Sequence, residues 1–266
     1  MRQIFSTELL GHLPPRKNST EVRIKKSQLS KVAHATTSLN QLDQHITNCF
    51  ACPRLVTWRE EIAVTKRKAY LDQEYWGKPI SGFGSNKPRM LIIGLAPGAH
   101  GANRTGRVFT GDPSGDWLFG SLHRIGIAKI GTSIHKDDKQ ELKHTRITTA
   151  VRCAPPDNKP SNDERDTCAP WLLREFELAL PTTRAFVALG SFAWSALFTT
   201  LRELGHPLTT TKFGHGAEFR YKHEGVDYLL IASYHPSQQN TFTGKLTTTM
   251  LDSVLKKAAK FSQSVG

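Results

Sequence analysis

Four cysteines are the residues of this sequence whose type and spacing point most directly to chemistry. Two residues separate Cys49 from Cys52, whereas fourteen separate Cys153 from Cys168. A pair with two intervening residues lets both sulfurs face one metal, in zinc and in iron-sulfur sites alike. Structural zinc usually takes two such pairs, so the split second pair favours a bulkier [4Fe-4S] cluster that a folded domain assembles. The alternative of unrelated buried cysteines is less favoured, because Cys49, Cys52 and Cys153 lie in predicted loops beside Pro and Arg.

A glycine-rich segment follows the apolar run of residues 90–93. Residues 94–112, GLAPGAHGANRTGRVFTGD, contain five glycines. Glycine allows a ligand to approach the main chain closely, and loops that leave the carboxyl ends of strands are where open α/β sheets bind ligands. The segment has neither the ending of a P-loop nor the spacing of a dinucleotide-binding turn. It therefore predicts a binding site whose ligand must be inferred from other residues.

Four apolar runs, each followed by a helical pattern, must position these residues. Strands that alternate with helices predict a parallel sheet with helices on both faces. The expected fold class is therefore α/β, with a central parallel four-stranded sheet flanked by helices in a single domain. The predicted strands cover residues 90–95, 146–152, 185–189 and 228–234.

The ends of this domain are also predicted. Residues 1–37 are polar and basic without a sustained period, and we expect a partly ordered N-terminal extension there. The α/β domain is expected to occupy residues 38–266. Ser114 is the predicted N-cap of the helix that follows the glycine-rich segment.

The composition narrows the class of partner. The chain has 266 residues, with 36 Lys and Arg against 23 Asp and Glu, and a net charge of +13. This surplus attracts polyanions and favours nucleic acid or an anionic surface over neutral small molecules. The sequence contains no apolar run of the ~18 residues that a spanning helix needs, and its first residues do not follow the pattern of a secretory signal. We expect a cytoplasmic protein of the bacterial cytosol or nucleoid, with no membrane partner.

Several long motifs occur together and in order. They are NCFACPRLVTWRE, YWGKPISGFG, GLAPGAHGANRTGRVFTGD, AVRCAPPDNKPSNDERDTC and SYHPSQQNTFTGKLT. With these motifs, residues 45–255 resemble the iron-sulfur uracil-DNA glycosylases, specifically the family five branch. The resemblance implies a small α/β fold, a [4Fe-4S] cluster on the four cysteines, and excision of uracil and some other deaminated or modified bases from DNA.

The resemblance also implies which residues hold the base. A glycosylase extrudes the target nucleotide into a pocket, and Phe109 corresponds to the aromatic residue on which the base lies. His235, in the motif HPS, corresponds to the histidine directed at the O2 carbonyl, where a donor stabilises the charge of the departing base. The amide of Asn158 can match the edge of a pyrimidine.

Other residues would contact the DNA around the base. Arg104 or Arg107 can reach a phosphate, and the loop of residues 237–245 can enter the minor groove and fill the vacated stack. The expected substrate-binding residues are Gly94, Ala96, Gly98, Phe109, Asn158, Arg107 and Ser237.

One departure from the wider superfamily concerns the base that activates water. Related branches carry an acidic or amide residue where this sequence has Leu95 and Ala96. Asn103, Asp112 or the departing base must then activate the water, and we favour Asn103 over Asp112. A pocket without a dedicated pyrimidine-specific residue is expected to accept hypoxanthine and hydroxymethyluracil besides uracil.

The predicted function is that of a monofunctional glycosylase that leaves an abasic site in double- or single-stranded DNA and works as a monomer. The main alternative is a non-catalytic, metal-stabilised nucleic-acid binding module. An iron-sulfur electron carrier is a third hypothesis, which would require a redox partner and no dependence on DNA.

Overall fold

The structure is a computed structural model that describes residues 23–264. The helices are α1 (Lys26–Ala35), α2 (Leu39–Thr47), α3 (Pro53–Thr65), α4 (Ala102–Thr105), α5 (Pro113–Arg124), α6 (Asn162–Ala179), α7 (Ser191–Glu203), α8 (Gln238–Phe242) and α9 (Thr248–Ser264). The strands are β1 (Phe83–Gly84), β2 (Met90–Gly94), β3 (Thr145–Thr149), β4 (Ala185–Leu189), β5 (Glu218–His223) and β6 (Val226–Ser233). Single 3-10 turns cover Lys68–Tyr70 and Pro156–Asn158.

One mixed sheet joins the strands in the order β1-β3-β2-β4-β6-β5. Its four inner strands are mutually parallel, with Ile92 of β2 opposite Ile147 of β3 and Val187 of β4. These are the four predicted strands, and the α/β fold class is confirmed. The sheet has six strands rather than four, because short β1 and the half-exposed β5 pair antiparallel to its two edges.

The sheet separates two apolar layers because its inner strands alternate their side chains between the faces. Leu91 and Ile93 of β2 pack towards α1, α2, α6 and α7. Met90 and Ile92 point the other way, towards α5 and α9. All four of these β2 side chains are at most 1% exposed, which is the burial expected of inner strands covered on both faces.

The folded body includes part of the predicted extension. The main chain of Ile24 pairs with Asn48 and Phe50 across the cysteine-bearing turn, and α1 packs against α6. Leu29 and Ala33 of α1 are each 2% exposed and belong to the core. Residues 23–37 are therefore part of the α/β body, while residues 1–22 of the predicted extension lie outside the described residues.

In the part of the chain that the structure describes, the helices are all too short or too polar to cross a membrane.

The helix that follows the glycine-rich segment has a different cap from the predicted one. Helix α5 begins at Pro113, and the main-chain N–H of Gly115 donates to Oδ1 of Asp112 at 2.9 Å. Asp112 is therefore the N-cap in place of Ser114, since Pro at the first helical position leaves the preceding residue to cap.

Candidate active site and cysteine cavity

The parallel topology gathers the predicted loops at one edge of the sheet. The main-chain N–H of Ala150, after β3, donates to the carbonyl of Gly94 at 3.0 Å. The N–H of Gly190, after β4, donates to the carbonyl of Ser233 at the end of β6, at 2.8 Å. The glycine-rich segment, the loop after β3 and the HPS motif therefore start from neighbouring strand ends.

Phe109 and His235 lie together at this edge. Their ring centroids are 5.7 Å apart and the ring planes are inclined by 31°. Phe109 has a φ of +50°, a conformation that few residues other than glycine adopt. The direction of its ring is therefore set by this turn and not by a helix or a strand. A Cβ atom on Gly94 would lie 2.7 Å from the Phe109 ring, so that glycine is required for the ring to sit over the end of β2. An aromatic surface and an imidazole thus face one site.

The environment of His235 keeps its imidazole neutral. Burial lowers its pKa to about 4, and among the described residues no carboxylate forms an ion pair with it. Its main chain is held on both sides: Asn240 Nδ2 donates to the His235 carbonyl at 2.9 Å, and the N–H of Tyr234 donates to His215 Nδ1 at 3.3 Å. A neutral imidazole carries one N–H donor, which can serve an oxygen that accumulates negative charge.

Asp112 lies beneath the glycine-rich segment. Its Oδ1 caps α5, while its Oδ2 faces Gly98 and Gly101, where a side chain on either glycine would meet that oxygen. Burial raises the pKa of this carboxyl, and its hydrogen bonds with the N–H groups of Gly115 and Ser114 oppose that rise. Asp112 therefore combines a structural contact with one carboxylate oxygen directed at the open backbone of the loop.

The placement of Asn103 does not support the role that the sequence favoured for it. The residue is 1% exposed, and its Nδ2 donates to the main-chain carbonyl of Arg59 at 3.2 Å. Its Oδ1 is buried without a hydrogen-bond partner among residues 23–264. Helix α4 turns the Nδ2 of this amide towards α3, so Asn103 joins two elements through the group that would otherwise be free to act.

The predicted phosphate contacts of the two loop arginines are likewise not supported. Arg107 is 4% exposed, and its guanidinium donates to both carboxylate oxygens of Asp138 at 2.6 Å each. Arg104 donates to the carbonyls of His100 and Gly111 at 2.7 and 2.6 Å and stacks over Tyr70. Arg104 satisfies two main-chain carbonyls of the glycine-rich segment, which need donors, and Arg107 ties the same segment to Asp138.

Three other predicted residues lie on the outside of the same edge. Asn158 is exposed in a 3-10 turn with a φ of +55°. Ser237 immediately precedes α8, a short helix whose Phe242 is 77% exposed. Ala96 is half-buried against the apolar cluster of Leu55, Val151 and Cys153. Sequence analysis predicted a DNA-contacting loop at residues 237–245 but did not single out Phe242. The available signal is a large apolar residue among polar neighbours.

The four cysteines line one small cavity. Cys49 and Cys52 flank the turn before α3, Cys153 follows β3, and Cys168 is on α6. The remaining lining includes Leu29 of α1, so four separate parts of the chain meet there. Among residues 23–264, no group of three or more His, Cys, Asp or Glu side chains is spaced to hold a single metal ion. The sulfurs line a cavity rather than converge on one ion.

The chemistry of this cavity fits an anionic group with sulfur ligands. Burial raises the pKa of Cys52 to about 12 and raises the pKa values of Cys153 and Cys168. Thiolates here therefore need nearby positive charge or donors. Arg59 Nη1 donates to Cys153 Sγ at 3.0 Å, and the N–H of Arg152 donates to Cys168 Sγ at 3.4 Å. Four soft sulfur donors with such partners are typical of iron-sulfur ligation.

Arg59 is the residue of this cavity that sequence analysis missed. It is fully buried, and it shares the inner face of α3 with Leu55 and Ala63 at intervals of four residues. That spacing is the available signal, because an arginine in register with apolar residues lies on a buried face and needs a partner there.

Comparison with known proteins shows the family of this chain. The family model of the uracil DNA glycosylase superfamily matches residues 81–259. A type-5 uracil-DNA glycosylase of Mycobacterium leprae is 50% identical over 226 residues, which are 85% of this chain and 96% of that protein. The type-5 uracil-DNA glycosylase of Thermus thermophilus is 47% identical over 82% of this chain and 96% of that protein. A type-4 uracil-DNA glycosylase of Pyrobaculum aerophilum is 27% identical over 75% of this chain. The resemblance inferred from the motifs is confirmed, and the chain belongs to the type-5 branch of the uracil-DNA glycosylase superfamily.

Proposed function

We propose that this uracil-DNA glycosylase hydrolyses the N-glycosidic bond of uracil and of other deaminated or modified bases in DNA, and leaves an abasic site. The observation that carries the proposal is the pair of Phe109 and His235, an aromatic surface and a neutral donor at 5.7 Å between ring centroids. A flipped base needs both: a surface to stack on and a donor for its developing charge.

In this mechanism His235 stabilises the departing base. Cleavage of the glycosidic bond leaves negative charge that is shared by the O2 carbonyl of uracil. The imidazole of His235, neutral because burial lowers its pKa to about 4, donates its N–H to that oxygen. Removal of one such donor typically costs about 10² to 10³ in the chemical step.

Asp112, rather than Asn103, is the residue that we propose for positioning the water. The sugar passes through an oxocarbenium-like state that a weakly activated water can capture. Asp112 Oδ2 faces Gly98 and Gly101 while Oδ1 accepts the capping bond from Gly115, whereas Asn103 Nδ2 donates to the main-chain carbonyl of Arg59 in α3. A carboxylate also stabilises the positive charge that develops on the sugar.

The DNA contacts that we propose centre on α8 and on the net charge of the chain. Phe242, at 77% exposure, is suited to fill the space that the flipped nucleotide leaves in the stack. Asn158 is exposed and suited to meet a base edge. The net charge of +13 supplies phosphate affinity from other lysines and arginines than Arg104 and Arg107.

We further propose that Cys49, Cys52, Cys153 and Cys168 hold a [4Fe-4S] cluster. When bound, such a cluster supplies a structural crosslink among the chain segments that carry the four thiolates. The buried donors of Arg59 and Arg152 beside the sulfurs support this assignment. The base chemistry itself belongs to His235 and Asp112.

A permissive pocket is the finer part of the proposal. Leu95 and Ala96 offer no side-chain donor or acceptor, so discrimination depends on Phe109, His235 and the exposed amide of Asn158. An aromatic surface accepts purine and pyrimidine bases alike, because both have a π-face. Hypoxanthine and hydroxymethyluracil are therefore expected substrates besides uracil.

A single-turnover assay tests the function. Excess protein is incubated with a duplex that carries one uracil, and alkali then cleaves the strand at abasic sites. We expect cleavage with the natural chain, a loss of about 10² to 10³ with His235→Ala, and no loss with His34→Ala, an exposed histidine of α1. DNA binding without alkali-labile sites would instead establish the non-catalytic binding module.

A further inference from the structure

A buried arginine beside the cysteine cavity has an unusual set of contacts. Arg59 is 0% exposed, and its Nη1 donates to the main-chain carbonyl of Cys49 at 3.1 Å and to Cys153 Sγ at 3.0 Å. Its Nε and Nη2 are buried and have no hydrogen-bond partner within residues 23–264. The carboxylate of Glu60 is 3.9 Å from Nη2, beyond hydrogen-bond distance and on a side chain that is 37% exposed.

This arrangement leaves much of the positive charge without a compensating group. A buried guanidinium normally has its donors satisfied by carboxylates or carbonyls, because burial of an unpaired charge costs several kcal/mol. The ring of Phe50, whose centroid is 4.8 Å from the guanidinium carbon, adds a cation–π contact but supplies no counter-charge. The thiols of the cavity are the other groups within reach, and as thiolates they would supply the missing negative charge.

Arg152 provides a contrast within the same cavity. Its guanidinium is buried too, but it is paired with the carboxylate of Glu175 and with the hydroxyl of Thr148. Only its main-chain N–H reaches a sulfur. Among the described residues, Arg59 is therefore the guanidinium of this cavity that donates to a cysteine sulfur and has no carboxylate within hydrogen-bond distance.

We infer that Arg59 is the electrostatic partner of the four-thiolate site, so that it retains the cluster and raises its reduction potential. The inference rests on the proposed [4Fe-4S] cofactor. A positive charge and an N–H donor beside a ligating sulfur favour the more negative, reduced form of a cluster and hold the thiolate in place.

The same residue links this cavity to the base site. The main-chain carbonyl of Arg59 accepts the hydrogen bond from Asn103 in the glycine-rich segment. Arg59 therefore contacts a cysteine sulfur through its side chain and the loop of Phe109 and Asp112 through its backbone. Substitution of the side chain leaves the second contact in place, which keeps the experiment specific for the cavity.

Two substitutions separate charge from volume. Arg59→Met removes the charge but fills a similar space, whereas Arg59→Lys keeps the charge. Iron and sulfide content, iron release to a chelator, and the midpoint potential are measured on anaerobically purified protein. Arg107→Met is the matched control, since Arg107 is also buried, at 4% exposure, and lies in the glycine-rich segment, paired with Asp138.

We expect Arg59→Met to hold iron with about 10-fold to 100-fold lower affinity, the usual cost of removing an outer partner of a metal ligand, and therefore to lose it faster to a chelator. Its midpoint potential should be more negative than that of the natural chain. Arg59→Lys should stay closer to the natural chain in iron release and in midpoint potential. Arg107→Met should change neither quantity. If Arg59→Met does not fold, Arg59→Gln supplies the neutral side chain. A neutral variant with natural potential and iron release would overturn the inference. A natural chain without iron and sulfide would instead overturn the cofactor proposal itself, and this inference with it.

Discussion

The protonation state of His235 leads to a prediction about pH. Burial lowers the pKa of this imidazole to about 4, against 6.5 for an ordinary histidine. At pH 6 a group with that pKa is about 1% protonated, whereas an ordinary histidine would be about 75% protonated. The hydrogen-bonding state of His235 should therefore not change between pH 5.5 and pH 8, the range over which histidines usually titrate.

The assay compares the natural chain with His235→Gln. Glutamine keeps an N–H donor but does not titrate, so the ratio of the two single-turnover rates isolates the titration of His235 from that of Asp112. Because burial also raises the pKa of Asp112, the rate of both proteins should fall at low pH by the same factor. We expect a constant ratio from pH 8 to about pH 5.5. A ratio that changes with a midpoint near pH 6.5 would refute the lowered pKa of the His235 imidazole.

The same shift affects stability, with a sign that can be worked out. The unfolded chain binds a proton at His235 below pH 6.5, while the folded chain resists protonation until about pH 4. The contribution of neutral His235 to stability is therefore complete above pH 6.5 and is lost as the pH falls towards 4. The full difference is about 3 kcal/mol for a shift of this size. Denaturant midpoints of the natural chain should fall relative to those of His235→Gln over that range.

Three further predictions concern the site and its supports. Gly94→Ala should displace the Phe109 ring, because the added Cβ would lie 2.7 Å from it, and should weaken uracil excision while binding of undamaged DNA is unchanged. Asp112→Asn keeps the cap of α5 but removes the carboxylate, so single-turnover rates should fall steeply with little change in the melting temperature; an unchanged rate would remove Asp112 from the mechanism. Relative to a chain that begins at residue 23, one that begins at residue 38 should melt lower and release iron faster, as seen by calorimetry and chelator assay.

The four inner strands could be predicted from the sequence for a physical reason. Residues 90–94 and 185–189 are continuous apolar runs bounded by Gly, Pro or Arg, and strands buried on both faces require such runs. The gathering of the loops at one edge then follows from parallel topology. The edge strand β5 was missed because its residues are half-exposed and alternate with charges, which resembles a polar loop.

Helix α1 was missed for a related reason. Its ten residues contain one leucine, one valine and two alanines, and its first turn has no acidic residue. A helix this short is marginal by propensity alone. Its stability comes from the burial of Leu29 and Ala33 against the body of the domain, and that contact is made with α6, far along the chain.

The roles within the glycine-rich segment could not be ranked from sequence. Asn103 and Asp112 lie nine residues apart in one loop, and the choice between them depends on which way α4 turns its side chains. By sequence alone Arg107 resembles a phosphate ligand. In the structure its guanidinium is paired with Asp138, which is distant in sequence. Loop conformation and distant partners decide these roles, and neither has a local pattern.

The arrangement of the two sites suggests what a cluster in the cysteine cavity, as proposed above, would do for a base site that does not use it. The end of β2 and the residues that follow it lie between them: Ala96 packs on the apolar cluster that includes Cys153, while Gly94 lies under the ring of Phe109. Asn103 ties the middle of the same loop to α3, which begins at Pro53, directly after Cys52. A loop with five glycines has a high entropy cost of ordering. The proposed cluster would attach the neighbours of this loop to one rigid group and would offset that cost. Loosening of the cysteine cavity should therefore first displace Phe109.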